Sequence, residues 1–153
     1  MTRNGTRLRI PATLDSLAGA QSFLRERSAA LEISELLLER LALVLEEMVA
    51  NIGSYAYPKG VGDMEVGCDL LLQEPPTPAR LCILLRDWGV PFDPLDRDSP
   101  DLDADLESRP VGGLGIYLIR QLTDHCEYRR NGDANEFRAY LNMEDNQSQR
   151  KPL

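Results

Sequence analysis

Glu47 and Asn51 lie four residues apart in the run Glu46-Glu47-Met48-Val49-Ala50-Asn51, so on a helix they share a face. A carboxylate and an amide oxygen so placed suit a hard cation such as magnesium, or a base beside one. The same pair also reads as a solvated polar edge. A second cluster, Asp87-Trp88-Gly89-Val90-Pro91-Phe92-Asp93, follows directly on an apolar run. A carboxylate at a strand end accepts a hydrogen bond from an exocyclic amine. A glycine two residues later lets the backbone approach a flat ring, although an ordinary turn has the same composition. The third cluster, Gly112-Gly113-Leu114-Gly115, stands before an apolar segment that reads as a helix. Backbone N–H groups and the helix dipole at such an entry receive phosphate. No Gly-Lys-Ser/Thr follows, so this is not a P-loop. A long loop rather than a strand precedes it, so it is not a dinucleotide fingerprint either.

Each cluster needs an element to hold it. Leu37, Leu41, Val44, Met48 and Ile52 recur at steps of four, three, four and four, which predicts one helix with a buried stripe and the Glu47–Asn51 pair at its border. Ser34 is placed to cap that helix and Glu35 to favour its positive end; Pro58 and Gly60 end the segment. An earlier helix is predicted from about Leu14 to Ala30, capped by Thr13, and a short first strand from Thr6 to Ile10. Two strands, about Met64–Leu72 and Arg80–Arg86, flank the proline-rich stretch from Glu74 to Pro78, a hairpin loop whose prolines belong outside the sheet. Pro91 to Pro110 reads as one long loop, a length that marks function or disorder. A third helix, Ile116 to about Thr123, follows the glycines. Two last strands, about Cys126–Arg130 and Asn135–Met143, flank an Asn131-Gly132 turn signal. This order predicts an α/β (α+β) two-layer sandwich, with a mixed, mostly antiparallel sheet and the helices on one face. Residues 1–143 form the domain, and the polar stretch 144–153 is expected to fray.

The chain has 153 residues, 42% of them apolar, which suits one domain with a real core. Its 25 acids against 17 Lys plus Arg give a net charge of −8, which argues against direct nucleic-acid binding. It leaves room for one polyanion held by backbone amides and a metal. Cys68, Cys82 and Cys126 are odd in number and form no CxxC pair, so they read as free thiols of a reducing compartment. His125 is the single histidine, and no zinc site surrounds it. Neither a signal peptide nor an apolar run long enough for a membrane span is visible, and the expected location is the bacterial cytoplasm.

The three clusters occur in one order within a short chain, and in that order they resemble a known family. Glu47-xxx-Asn51 resembles the N box of the GHKL (histidine-kinase-like) ATP-binding superfamily. Asp87-x-Gly89-x-Pro91-Phe92-Asp93 is similar to its G1 box, and Gly112-Gly113-Leu114-Gly115-Ile116 to its G2 box. The loop between them falls where the ATP lid belongs. The stretches Leu45–Tyr57, Gly89–Pro94 and Gly113–Asp124, with the Asn135 strand, resemble the anti-sigma-factor serine/threonine-kinase branch. The likeness covers roughly residues 5 to 143 and implies a Bergerat ATP-binding fold.

The resemblance also implies roles. Asn51 would coordinate magnesium on ATP, Asp87 would take the adenine amine, and Gly89 would make room for the base. Gly113 and Gly115 would bring backbone to the phosphates, and Glu47 would be the base that activates a serine or threonine hydroxyl. Pro91, Phe92, Gly112, Leu114 and Ile116 complete the nucleotide-binding set. Arg109, the loop arginine nearest the glycines, joins that set at the γ-phosphate, in a stretch where Asp96, Asp98, Asp101, Asp103, Asp105 and Glu107 stand against Arg97 and Arg109. The implied partners are a STAS-type anti-sigma-factor antagonist as phospho-acceptor and a sigma factor or equivalent target, with a homodimer as the expected assembly. The alternative is an ATP-binding partner-switching adaptor without productive kinase activity. A histidine-kinase fragment does not fit, because His125 follows the third cluster.

Overall fold

The computed structural model describes residues 2–4, 6–96 and 113–143. Six strands form one sheet: β1 (Thr2–Asn4), β2 (Arg7–Pro11), β3 (Asp63–Leu71), β4 (Arg80–Asp87), β5 (His125–Asn131) and β6 (Ala134–Asn142). Their order is β1-β2-β3-β4-β6-β5, and every neighbouring pair is antiparallel. The sheet is therefore not mixed as expected. β1–β2, β3–β4 and β5–β6 are hairpins. The connection through the first two helices sets β3 antiparallel beside β2, whereas the connection through the third helix sets β5 two places from β4 and parallel to it, with β6 paired between them. The β5–β6 turn passes through Gly132 at φ 61°, the left-handed region open to glycine. β1, three residues long, was not foreseen.

Three helices lie on one face: α1 (Leu17–Ala30), α2 (Glu35–Tyr55) and α3 (Gly113–Leu122). Ser34 caps α2 as expected, its Oγ accepting from Leu37 N–H at 3.3 Å. Thr13 does not cap α1: its side chain makes no capping bond, and Leu14–Ser16 form a 3-10 turn ahead of the helix. Arg27, in the last turn of α1, anchors that helix to β3 by donating to Cys68 O at 3.0 Å and to Asp69 at 3.3 Å. α3 begins at Gly113, three residues earlier than predicted, so two of the glycines belong to its first turn.

Strand alternation sorts the sheet. Val66 and Cys68 of β3, Leu81, Ile83 and Leu85 of β4, and Phe137, Ala139 and Leu141 of β6 point into the core. There they meet Phe23 and Leu24 of α1, Leu37, Leu41, Val44, Leu45, Met48 and Val49 of α2, and Ile116 and Ile119 of α3. The other face carries a charged ladder across four strands. Arg86 binds Glu65 at 2.9 Å and Glu136 at 2.6 Å, Arg7 binds Glu65 at 3.2 Å, and Arg138 reaches Glu136 at 3.6 Å. The three cysteines are free, two of them buried. No described helix is long and apolar enough to cross a membrane. The loop beyond Asp96 and the stretch 144–153 lie outside the described residues.

Candidate nucleotide pocket

Sheet register builds the floor of the site. Met64, Asp87, Asn135 and Arg130 form one row across β3, β4, β6 and β5. Asp87 shares its face with Leu85 and Ile83, so it points toward the helices rather than the charged ladder. A slip of one residue would turn it outward. Asp87 and Asn135 are each 5% exposed, which makes them rare buried polar groups in this fold.

Both are hydrogen-bonded, as buried polar groups must be. Asp87 Oδ1 accepts from Gly89 N–H at 2.9 Å and from Asn135 Nδ2 at 2.8 Å. Asn135 Nδ2 also donates to Val90 O at 2.8 Å. Asn135 Oδ1 accepts from Tyr128 Oη at 2.6 Å, Arg130 Nη1 at 3.2 Å and Phe92 N–H at 3.4 Å. No described residue bonds Asp87 Oδ2. Burial pushes the Asp87 carboxyl above the usual range, opposed by the Asn135 and Gly89 bonds and by the Arg130 charge.

Around this floor lies a cavity lined by Met48, Asn51, Ile52 and Ala56 from α2 and its end, Leu85, Ile116, Ile119 and Phe137 from the core, and Phe92, Pro94 and Tyr128. Its walls are mostly apolar, with Asp87, Asn51 and Asn135 as the polar groups, the composition of a small-molecule seat. Phe92 stacks on Tyr55 with ring centroids 4.7 Å apart. The free volume of the cavity is about 30 Å³, room for a water or two and less than a purine base occupies. Pro91 is exposed and does not line the cavity; Pro94 does.

Gly89 is crowded by protein backbone. A Cβ there would overlap the carbonyl of Ala56, the residue after α2. Val90 N–H bonds that same carbonyl at 2.9 Å, and Arg130 Nη1 bonds Gly89 O at 2.9 Å. The loop after β4 is thus stitched to α2 and β5. Tyr57 adds a third stitch, its hydroxyl donating to Asp63 O at 2.5 Å and accepting from Trp88 N–H at 2.9 Å.

Glu47 and Asn51 project from α2 as their spacing predicted, Asn51 into the cavity and Glu47 toward the first turn of α3. A Cβ on Gly115 would come within 2.5 Å of Glu47 Oε2, so the carboxylate rests against the glycine. Burial, and then the neighbouring Glu46, raise the Glu47 carboxyl above its ordinary 4.5. Among the described residues no three His, Cys, Asp or Glu side chains gather to hold a metal. Gly113 and Leu114 open α3, Ile116 lines the cavity, and Gly112 and Arg109 lie outside the described residues.

The fold agrees with the comparison to known proteins. Residues 10–141 match the family described as the histidine kinase-like ATPase domain. The chain belongs to that family. Its sequence is 31% identical over 94 residues to the serine-protein kinase RsbW of Bacillus cereus (strain AH187), and equally to that of Bacillus anthracis (strain A0248). Those alignments cover 59% of this chain and 55% of each relative, so the chain spans about half the length of the kinases it matches. At this cavity the sequence did not single out as site residues Asn135 and Tyr128, which line it, or Arg130, which bonds Asn135. Their one signal was the Asn131-Gly132 turn, which sets the register of β5 against β6.

Proposed function

We propose that this domain binds ATP with magnesium and acts as an anti-sigma regulatory factor. In this reading it is a serine/threonine kinase that phosphorylates a STAS-type anti-sigma-factor antagonist and sequesters a sigma factor or an equivalent target. The observation that carries it is Asp87: a buried carboxylate with one oxygen saturated and the other left for an exocyclic amine, on the floor of an apolar cavity.

The donor set suits the cofactors. Asn51 offers a hard amide oxygen at the cavity edge, and α3 begins with the glycines. One amide oxygen, with no carboxylate cluster among the described residues, fits magnesium that arrives with the triphosphate better than a resident ion. When bound, magnesium supplies charge neutralisation at the phosphates. Asp87 orients the base, Gly113 and Gly115 bring backbone N–H groups to the phosphates, and Glu47 takes the proton of the attacking hydroxyl. The new bond joins that hydroxyl oxygen to the γ-phosphorus as the bond to the ADP oxygen breaks, a step that depends mainly on positioning. A raised carboxyl pKa improves Glu47 as a proton acceptor at neutral pH.

Calorimetry with ATP, with and without magnesium, on wild type and Asn51→Ala tests the pocket. Magnesium-dependent binding that Asn51→Ala loses supports the reading; a wild-type chain that binds no ATP refutes it. Glu47→Ala is expected to keep ATP binding and lose phosphotransfer to the antagonist by about a hundredfold or more. A cytoplasmic homodimer belongs to the same proposal and is read by sedimentation.

A further inference from the structure

We propose that Asn135 is a positioning residue for the base-recognising carboxylate, and that it makes the pocket select a 6-amino purine over a 6-oxo purine. This rests on the ATP reading above and deepens it.

Asn135 has one possible orientation. Three donors surround its oxygen, from Tyr128, Arg130 and Phe92, and two acceptors face its nitrogen, Asp87 Oδ1 and Val90 O. Both N–H groups are therefore committed, and neither is left for a ligand. Its influence on a bound base passes through Asp87. By occupying Oδ1 together with Gly89 N–H, it leaves Oδ2 as the oxygen without a partner among the described residues, on a carboxylate that lines the cavity.

The charge on that oxygen decides which purine fits. An ionised carboxylate only accepts, so it takes a 6-amino group and opposes a 6-oxo group. A neutral carboxylic acid carries a proton and can donate to the 6-oxo group, so protonation of Asp87 removes the discrimination. Burial drives Asp87 toward that neutral form, and the Asn135 N–H is foremost among the groups that resist it. Arg130 on β5 also favours the charge, while the hydroxyls of Tyr128 on β5, bonded to Asn135 Oδ1, and of Tyr57 beyond α2 stand nearby. Arg130 and Gly89 alone do not replace a donor fixed on Oδ1 from the neighbouring strand.

The test compares wild type with Asn135→Leu, which removes the donor, and Asn135→Asp, an isostere that sets a second acceptor against Asp87 Oδ1. Binding of magnesium ATP and of magnesium ITP (inosine triphosphate, a 6-oxo purine) is measured by calorimetry from about pH 5 to pH 8, spanning the range of a raised carboxyl. The Asp87 carboxyl carbon is titrated by NMR in the nucleotide-free proteins. Wild type is expected to prefer ATP by about a hundredfold. Both variants should bring that preference within about tenfold and raise the acid midpoint of ATP binding and the Asp87 titration by about one pH unit or more. If Asn135→Leu does not fold, the isosteric Asn135→Asp decides. Equal losses for ATP and ITP with an unmoved Asp87 titration would reduce Asn135 to a structural role and overturn the inference. A wild type that binds neither nucleotide would overturn the ATP reading and the selectivity together, whereas Asp87 still titrating higher in the variants would keep the positioning role.

Discussion

Substituting alanine at Gly89 tests why that glycine is there. Sequence alone suggests room for a flat base, and packing supplies another reason. An added Cβ would overlap the Ala56 carbonyl oxygen and stand 2.5 Å from its carbonyl carbon and 2.8 Å from its Cα. All three atoms are backbone, so no side chain can rotate away. The loop must lift off the end of α2, and this stretches three bonds together: Val90 N–H to Ala56 O, Gly89 N–H to Asp87 Oδ1, and Arg130 Nη1 to Gly89 O, each 2.9 Å. A neutral hydrogen bond contributes about 1 kcal/mol net and one to a charged group about 1.5 to 3, so partial loss of the three costs about 3 kcal/mol. With a urea slope of about 2 kcal/mol per molar, the unfolding midpoint falls by about 1.5 M. Urea titration followed by far-UV circular dichroism reads it, and Trp88, the single tryptophan, reports the loop itself. An unchanged midpoint with nucleotide affinity alone reduced would refute the packing argument and restore room for the base as the reason for glycine.

Gly115→Ala should behave in the opposite way. The close approach of its Cβ is to Glu47 Oε2, the end of a side chain that can move, and alanine favours a helix by about 0.5–1 kcal/mol over glycine. Thermal stability is expected to hold or rise while phosphotransfer falls; unaffected transfer would show that the Glu47 position is immaterial. Glu46→Gln removes the charge that, after burial, raises Glu47. The acid limb of the phosphotransfer pH profile should therefore move to lower pH, and a fixed limb would sink that coupling. Arg86→Met takes from Glu136, whose side chain is 3% exposed, its shortest ion pair and leaves it the longer 3.6 Å contact to Arg138, at a cost of about 3 kcal/mol at neutral pH. Burial raises the Glu136 carboxyl, but the Arg86 bond and charge, joined by the Arg138 charge and an Asn131 bond, outweigh it and hold the group below its ordinary 4.5. A depressed folded value means that stability is present above 4.5 and lost as pH falls through the folded value. The deficit of the variant should therefore shrink in acid, and urea midpoints at neutral and acid pH would expose a deficit that stays constant.

Local physics made much of the fold legible. The Leu37–Ile52 stripe and the Ser34 cap set α2 because helix periodicity and capping act within a few residues. That helix alone puts Glu47 and Asn51 four positions apart on one side. The Asn131-Gly132 turn announced the last hairpin for the same reason. Thr13 failed as a cap because the chain leaves β2 through a 3-10 turn, a choice made by packing rather than by the threonine. The start of α3 was misplaced because glycine is a poor helix former and carries almost no helix signal of its own, yet Gly113 and Gly115 lie in the first turn.

What the sequence determined by itself is the set of groups and the elements that carry them: a carboxylate and an amide on one helix, a carboxylate at a strand end, glycines at a helix entry. The tertiary structure decided which of them meet. Asp87 and Asn135 are 48 positions apart and touch only because β4 and β6 pair in one register. No spacing rule reaches that far, since pairing across a sheet is settled by burying whole strand faces. The same register brings Arg130 and Tyr128 to Asn135, and so turns an ordinary Asp-x-Gly turn into a buried, oriented acceptor.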